Sequence, residues 1–206
     1  RWFLVKVIIL NIRPRKSAKA YKKIWWKEGS PLIVLSQRLF EKVKKLVKIP
    51  VALAMRYGSI SIINGLKELD DCGVREVIVL PLYPHYAMSS YETVVEKVKK
   101  EVKLKFPHLK LKIIDPFYRD QNYIKLLSKK IKETISKIDY DHILFSYHGI
   151  PVSHLKISDP TNSHCYKVKN CCAVSSDAHK TCYKHQVIET TELVVKELNI
   201  KKENYS

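Results

Sequence analysis

The chain has 206 residues, 46% of them hydrophobic and 28% charged, enough for one domain with a sizeable core or one lobe and part of a second. No apolar run reaches the ~20 residues of a membrane-spanning helix. The longest, Trp2 to Ile12, lacks the small-residue cleavage site of a secretory signal, so a cytoplasmic protein is expected. The 38 Lys+Arg against 20 Asp+Glu give a net charge of +18. These cations are spread along nearly every segment instead of forming one block, which argues against nucleic acid as the primary partner. A positive surface still suits acidic ligands or anionic lipid head groups.

In chain order, the apolar stretch from Trp2 to Leu10 runs into the basic Arg13-Pro14-Arg15-Lys16, and then into Tyr21-Lys22-Lys23-Ile24-Trp25-Trp26. Apolar and aromatic surface beside positive charge fits a membrane-facing or ligand-facing rim, with packed helices as the other reading. Ser30-Pro31 reads as an N-cap followed by proline at the first helical position. Leu35, Leu39, Val43 and Leu46 continue at helical spacing. Val51 to Met55 reads as a strand, Ile60 to Leu69 as a helix, and Glu76 to Leu80 as a strand buried on both faces. A helix follows from Ser90 to Phe106, stopped by Pro107, then a strand from Leu109 to Ile114. The next helix, Tyr123 to Ile138, places Ile124, Leu127, Ile131, Ile135 and Ile138 on one face. His142 to Ser146 reads as a fourth strand, and a last helix spans Tyr183 to Leu198.

Strands alternating with helices predict an α/β fold of Rossmann-like parallel sheets with helices on both faces. Ligands bind such sheets beyond the carboxyl ends of the strands. That rule selects Arg56-Tyr57, the segment Pro81 to Ser90, and Tyr147 to Pro151. With 5 glycines in the chain and no phosphate-binding glycine loop, nucleotide chemistry finds no support.

The second strand ends in Leu80-Pro81-Leu82-Tyr83-Pro84-His85-Tyr86-Ala87-Met88-Ser89-Ser90, a proline-stiffened aromatic lip. The fourth ends in Phe145-Ser146-Tyr147-His148-Gly149-Ile150-Pro151, where a histidine beside a glycine turn can approach a ligand closely and change charge near neutral pH. Taken together, the two segments resemble the ferrochelatase family, whose corresponding segments are Leu-Pro-Leu-Tyr-Pro-Gln-Tyr and Phe-Ser-x-His-Gly-(Leu/Ile)-Pro. Asp159-Pro160, Arg13 to Lys16, Tyr21, Gly29-Ser30-Pro31 and Arg56-Tyr57 also match the family pattern. Two departures are His85 in place of Gln and Ala87-Met88 in place of more polar neighbours.

The resemblance implies two similar α/β lobes enclosing a porphyrin cleft, here a first lobe over 1–138 and the start of a second over 139–206, with a cysteine-rich insert at 159–183. It implies insertion of ferrous iron into a porphyrin for heme synthesis. His148 would be the catalytic residue, accepting pyrrole protons or handing over the iron. Arg56, Tyr57, Tyr83 and Ser89 would line the cleft, while Arg13, Lys16, Tyr21 and Ser30 would contact the propionates. It further implies a strand ahead of Arg1 and a segment after Ser206 carrying a glutamate opposite the histidine. The 206 residues by themselves are therefore expected to lack activity. A metallochelatase for cobalt or nickel acting on a precorrin-type ring is the nearest rival, and a non-catalytic iron–sulfur or zinc protein is another.

Cys165, Cys171, Cys172 and Cys182 fall in one irregular loop. Four thiolates suit a [2Fe–2S] cluster or tetrahedral zinc, and free thiols are the third reading. The spacing is not the paired Cys-x2-Cys of zinc ribbons, which favours the cluster. Some ferrochelatases resemble this chain in holding a [2Fe–2S] cluster on an internal cysteine-rich segment after the histidine motif. His164, His179 and His185 are expected to be bystanders, and Cys72 an ordinary residue near a helix end.

Overall fold

The computed structural model describes residues 10–206, and the side chains of residues 10–13, 15 and 16 lie outside that description. The apolar stretch from Trp2 to Ile9 therefore lies outside the described residues. The chain divides into two compact units, 1–74 and 75–206.

The first unit is helical. Helix α1 spans Leu10–Lys22 and α2 spans Pro31–Leu46, opened by Ser30 and by Pro31 in the first turn. Between them the chain doubles back where Trp26 bridges Gly29, and Gly29 takes a φ of +127° that an L side chain resists. Helix α3 covers Ile62–Asp71, its N-terminus capped by the Ser61 hydroxyl, which accepts from the Asn64 amide at 3.2 Å. Cys72 is its exposed C-cap residue. The strand expected at Val51 to Met55 does not form a ladder. Its one pairing is a bridge from Met55 to Ser61, with the Met55 amide donating to the Ile60 carbonyl at 2.7 Å. An extended apolar run becomes a strand only when a neighbour supplies a row of partners, and among the described residues this run has a single bridge.

The second unit holds a parallel pair. Strand β1, Glu76–Val79, pairs with β2, Lys110–Ile113, in the register Glu76 to Lys110 through Val79 to Ile113. The connection between them contains a π-type turn at Met88–Glu92 and helix α4, Thr93–Lys105. Val95, Val98 and Val102 of α4 join Phe106 and Leu109 in the core. The expectation that β1 is buried on both faces fails: Val77 is buried while Ile78 is 58% exposed. Successive side chains point to opposite faces, and among the described residues only one face of this strand is covered.

Helix α5, Gln121–Ile135, starts at Asp120, whose carboxylate accepts from the Asn122 and Tyr123 amides at 2.9 and 3.0 Å. Helix α7, Tyr183–Leu198, packs against α5 and ends at Asn199 in the left-handed conformation. The fourth expected strand, His142 to Ser146, is also reduced to one bridge, between Ile143 and Tyr205. Hydrogen bonds from Ile143 to Asn204, Ser206 to Ile143, and Phe145 to Ser206, at 2.9, 3.1 and 2.8 Å, hold that stretch extended. A short helix α6, Val152–Ile157, follows Pro151, and a 3₁₀ turn at Asp177–Thr181 precedes α7. The result is a mixed α/β chain, a small parallel sheet with helices around it. No helix among the described residues is long and apolar enough to cross a membrane.

Candidate active site

In the second unit the two motif segments meet. His85 of the lip sets its ring edge-on to Tyr147 at 5.8 Å and to Tyr183 at 5.9 Å. His148 itself is exposed. The lip residues Tyr83 and Ser89 are exposed as well, whereas Pro81 and Ala87 are buried and anchor the segment.

What fixes these positions is one face of α7. The Tyr183 hydroxyl faces the backbone amide of His148. The Thr191 hydroxyl donates to the Val187 carbonyl at 2.9 Å, so the Tyr147 hydroxyl is the donor in their 2.7 Å contact. Thr190 donates to the Tyr118 carbonyl at 2.8 Å and accepts from His85 Nε2 at 2.9 Å. This bond fixes the tautomer of His85 with its proton on Nε2. Burial pushes the His85 pKa down to about 4, so the ring is neutral near pH 7. Gln186, fully buried, accepts from the Tyr86 amide at 2.7 Å. None of Tyr183, Gln186, Thr190 and Thr191 was selected from the sequence. The signal for two of them was a glutamine and a threonine four positions apart, in line with Val194, on the stripe that α7 buries.

The cysteine loop is tied down by groups that read as bystanders. The Asp159 carboxylate accepts at one oxygen from the Thr161 amide and hydroxyl, at 2.9 and 2.7 Å, and at the other from the His164 and Cys165 amides, at 2.9 and 2.8 Å. Burial alone would raise its pKa, but these four bonds outweigh burial and hold it well below the ordinary carboxylate range. His164 and His179 both donate from Nε2 to the Cys171 carbonyl, at 2.7 and 3.0 Å, and His185 donates from Nδ1 to the Cys172 carbonyl at 2.9 Å. The His179 and His185 rings stack at 3.5 Å. Each of the three rings thus commits one nitrogen to a loop carbonyl, and the Nε2 of His185 faces Glu189 at 2.9 Å.

Cys165 and Cys182 are buried and their thiols are hydrogen-bonded, as are those of Cys171 and Cys172. Burial first, and then the neighbouring thiols, push Cys165 and Cys172 up to about 12, so both are protonated at neutral pH. The donor type fits a thiolate-bound metal, but the positions do not: among the described residues no three His, Cys, Asp or Glu side chains converge on a metal position.

In the first unit, Arg56 stacks on the Tyr57 ring with its guanidinium carbon 4.7 Å from the centroid. The Arg56 Nε is buried with no hydrogen-bond partner among the described residues. Tyr57 is 77% exposed. Tyr21 is exposed at the end of α1, and the Ser30 hydroxyl makes no capping bond to α2. Arg13 and Lys16 lie on α1 with side chains outside the described residues.

Comparison with known proteins bears on what this arrangement serves. The ferrochelatase family pattern matches residues 1–206. A protein of Opitutus terrae named ferrochelatase is 41% identical over 208 residues, covering 100% of this chain and 60% of its own length. One from Stutzerimonas stutzeri shows the same identity and coverage. A ferrochelatase of Coxiella burnetii is 39% identical over 207 residues, or 57% of its length. The chain thus spans about 60% of the length of these curated relatives. The family match covers the lip, the histidine segment and the helix that holds them, and so this chain belongs to the ferrochelatase family.

Proposed function

We propose that this chain supplies part of an enzyme that inserts ferrous iron into a porphyrin, the reaction that membership of the ferrochelatase family implies. The family match over all 206 residues carries this reading. Insertion replaces two pyrrole N–H protons with one divalent cation, so two protons must leave and no electron is transferred. His148, exposed at a segment end braced by Tyr147 and Tyr183, is proposed to accept those protons or to pass the iron to the ring. A neutral imidazole has a lone pair for either task. Tyr83 and Ser89 of the lip are proposed to line the porphyrin cleft, and Arg56 and Tyr57 are proposed as cleft residues too. Arg13, Lys16, Tyr21 and Ser30 are proposed to meet the propionate carboxylates, which charged and hydroxyl donors suit. The lobes, 1–138 and 139–206, belong to the same proposal, as does a cytoplasmic location with peripheral membrane contact. Exposed Ile24, Trp25 and Trp26 beside basic residues support that contact.

An anaerobic assay of the intact gene product with ferrous iron and a metal-free porphyrin tests the reading. His148→Ala is expected to lower the rate about 100-fold or more, the usual weight of a positioned acid–base group, while leaving the unfolding midpoint unchanged because the side chain is exposed. Insertion at the native rate by that variant would refute the role of His148.

We also propose that the cysteine loop takes up a [2Fe–2S] cluster on Cys165, Cys171, Cys172 and Cys182. Four neighbouring thiols in one partly desolvated loop support this. Metal would replace the protons of Cys165, Cys171, Cys172 and Cys182, and no step of iron insertion passes through it. Acid-labile sulfide after anaerobic purification is expected. Bound zinc would select the other thiolate site, and the absence of both would leave free thiols.

A further inference from the structure

The cysteine loop and the lip are far apart in sequence, yet one buried side chain joins them. The Gln186 amide is 0% exposed. Its Oε1 accepts from the Tyr86 amide at 2.7 Å, and its Nε2 donates to the carbonyls of His179 and Lys180 at 3.1 and 2.9 Å. Only this orientation of the amide satisfies all three contacts, since Tyr86 offers a donor and the 3₁₀ turn offers acceptors. His179 extends the connection, because its ring donates to the Cys171 carbonyl at 3.0 Å while its own carbonyl accepts from Gln186. The path therefore runs from Cys171 through the His179 ring and backbone to the Gln186 amide, and from there to Tyr86 in the lip.

We propose that Gln186 is a positioning residue through which the conformation of the cysteine loop sets the backbone position of the Pro81–Ser90 lip. The meaning of the lip as a porphyrin contact rests on the ferrochelatase reading; the mechanical link does not. Two features support the link over simple packing. The amide bonds only to backbone groups of the two segments, so it registers their positions and not their side chains. Loosening either segment leaves one end of the buried Gln186 amide unpaired, so the side chain that holds one segment depends on the other. Thr190, one turn on, ties His85 of the same lip to the Tyr118 carbonyl outside the cysteine loop, so Gln186 is the side chain of this face that joins loop to lip.

The loop end of this path is fastened independently by Thr181, whose hydroxyl donates to the Ser158 carbonyl while the Ser158 hydroxyl donates to the Thr181 carbonyl at 3.1 Å. Thr181→Val removes half of that clasp without touching Gln186 or the lip. Hydrogen exchange of peptides spanning 82–90 and 177–183 would be measured in the intact gene product, in Thr181→Val, in Gln186→Met and in the double variant. Alongside it, the Kd for a metal-free porphyrin would be read by fluorescence. Thr181→Val is expected to speed exchange at 82–90 at least threefold and to weaken porphyrin binding by a similar factor. The double variant should add nothing at 82–90 beyond Gln186→Met alone, the signature of a shared path. Unchanged lip exchange in Thr181→Val, or effects that multiply in the double variant, would overturn the proposal. The Thr181→Val arm decides it even if Gln186→Met does not fold. A native protein that binds no porphyrin sinks the ferrochelatase reading and leaves the exchange result to judge the link.

Discussion

His85 stands where the family resemblance puts glutamine, and its surroundings explain how a histidine serves there. A glutamine side-chain amide donates, and His85 also donates, from Nε2 to Thr190 at 2.9 Å. What changes is acid sensitivity. With its pKa lowered by burial to about 4 from the ordinary 6.5, the folded ring stays neutral where the unfolded ring has begun to take up a proton. The unfolded state binds more protons between these values, so stability falls as pH drops from about 6.5 to 4, by up to about 3 kcal/mol for a shift of this size. His85→Gln is expected to remove that part of the slope: its effect on the urea midpoint should favour the variant more at pH 5 than at pH 7. Equal effects at the two values would show that the ring is not held neutral. Asp159 makes the opposite case. Its carboxyl is held below the ordinary range, so its contribution is present above that range and is lost as pH falls through it. Each of its two oxygens accepts from two donors, which asparagine cannot reproduce because its NH₂ would face amide hydrogens. Asp159→Asn is expected to cost about 2 kcal/mol, read as a lower urea midpoint at unchanged slope.

At the level of elements, α7 was legible to the residue, Tyr183 to Leu198, because no Gly or Pro interrupts its interior. Helices α2, α4 and α5 fell within a few residues of their expected spans for the same reason. The strands were legible only where a partner exists in the chain. Glu76 to Val79 and Lys110 to Ile113 pair with each other, while Val51 to Met55 and His142 to Ser146 carry the same apolar signature and make one bridge each. Pairing is a non-local property, and an apolar run announces willingness to pair without naming the partner. The site divides in the same way. His148 and the lip could be read from their motifs, whereas Gln186 and Thr190 matter through contacts to residues about a hundred positions away or nearly so. Their only local trace is polarity on a buried stripe. Close approach of segments also sets a limit in the first unit. A Cβ on Gly65 of α3 would sit 3.3 Å from the Ala54 Cβ and 3.6 Å from both the Ala52 Cβ and the Leu53 carbonyl oxygen. Gly65→Val places two further methyl groups in that contact, so it should destabilise the first unit by about 1–3 kcal/mol despite the loss of a helical glycine. Thermal unfolding followed by circular dichroism would report it, and a midpoint equal to or above that of the native protein would show that the 52–54 segment gives way freely.

Across the whole molecule, 38 basic against 20 acidic side chains leave a formal charge of +18. The ion pairs that offset it are mostly local and exposed: Lys67 with Asp71, Lys99 with Glu96, Lys130 with Glu133 and Lys180 with Asp177. Such pairs contribute at most about 1 kcal/mol each. Repulsion among the remaining cations acts over a longer range, and folding draws those cations together. Salt weakens both effects but not equally, since raising ionic strength from 0.01 to 0.15 M shortens the screening length from about 30 to about 8 Å. Contacts near 3 Å lie inside either length, while cations tens of ångströms apart pass from interacting to screened. Added sodium chloride is therefore expected to raise the urea midpoint over this range. Lys→Glu substitutions at exposed positions away from the lip and the cysteine loop, such as Lys103, should raise it at low salt and less at high salt. A midpoint that falls with salt would mean that the short pairs outweigh the net charge, and that the lysine excess is balanced within the fold.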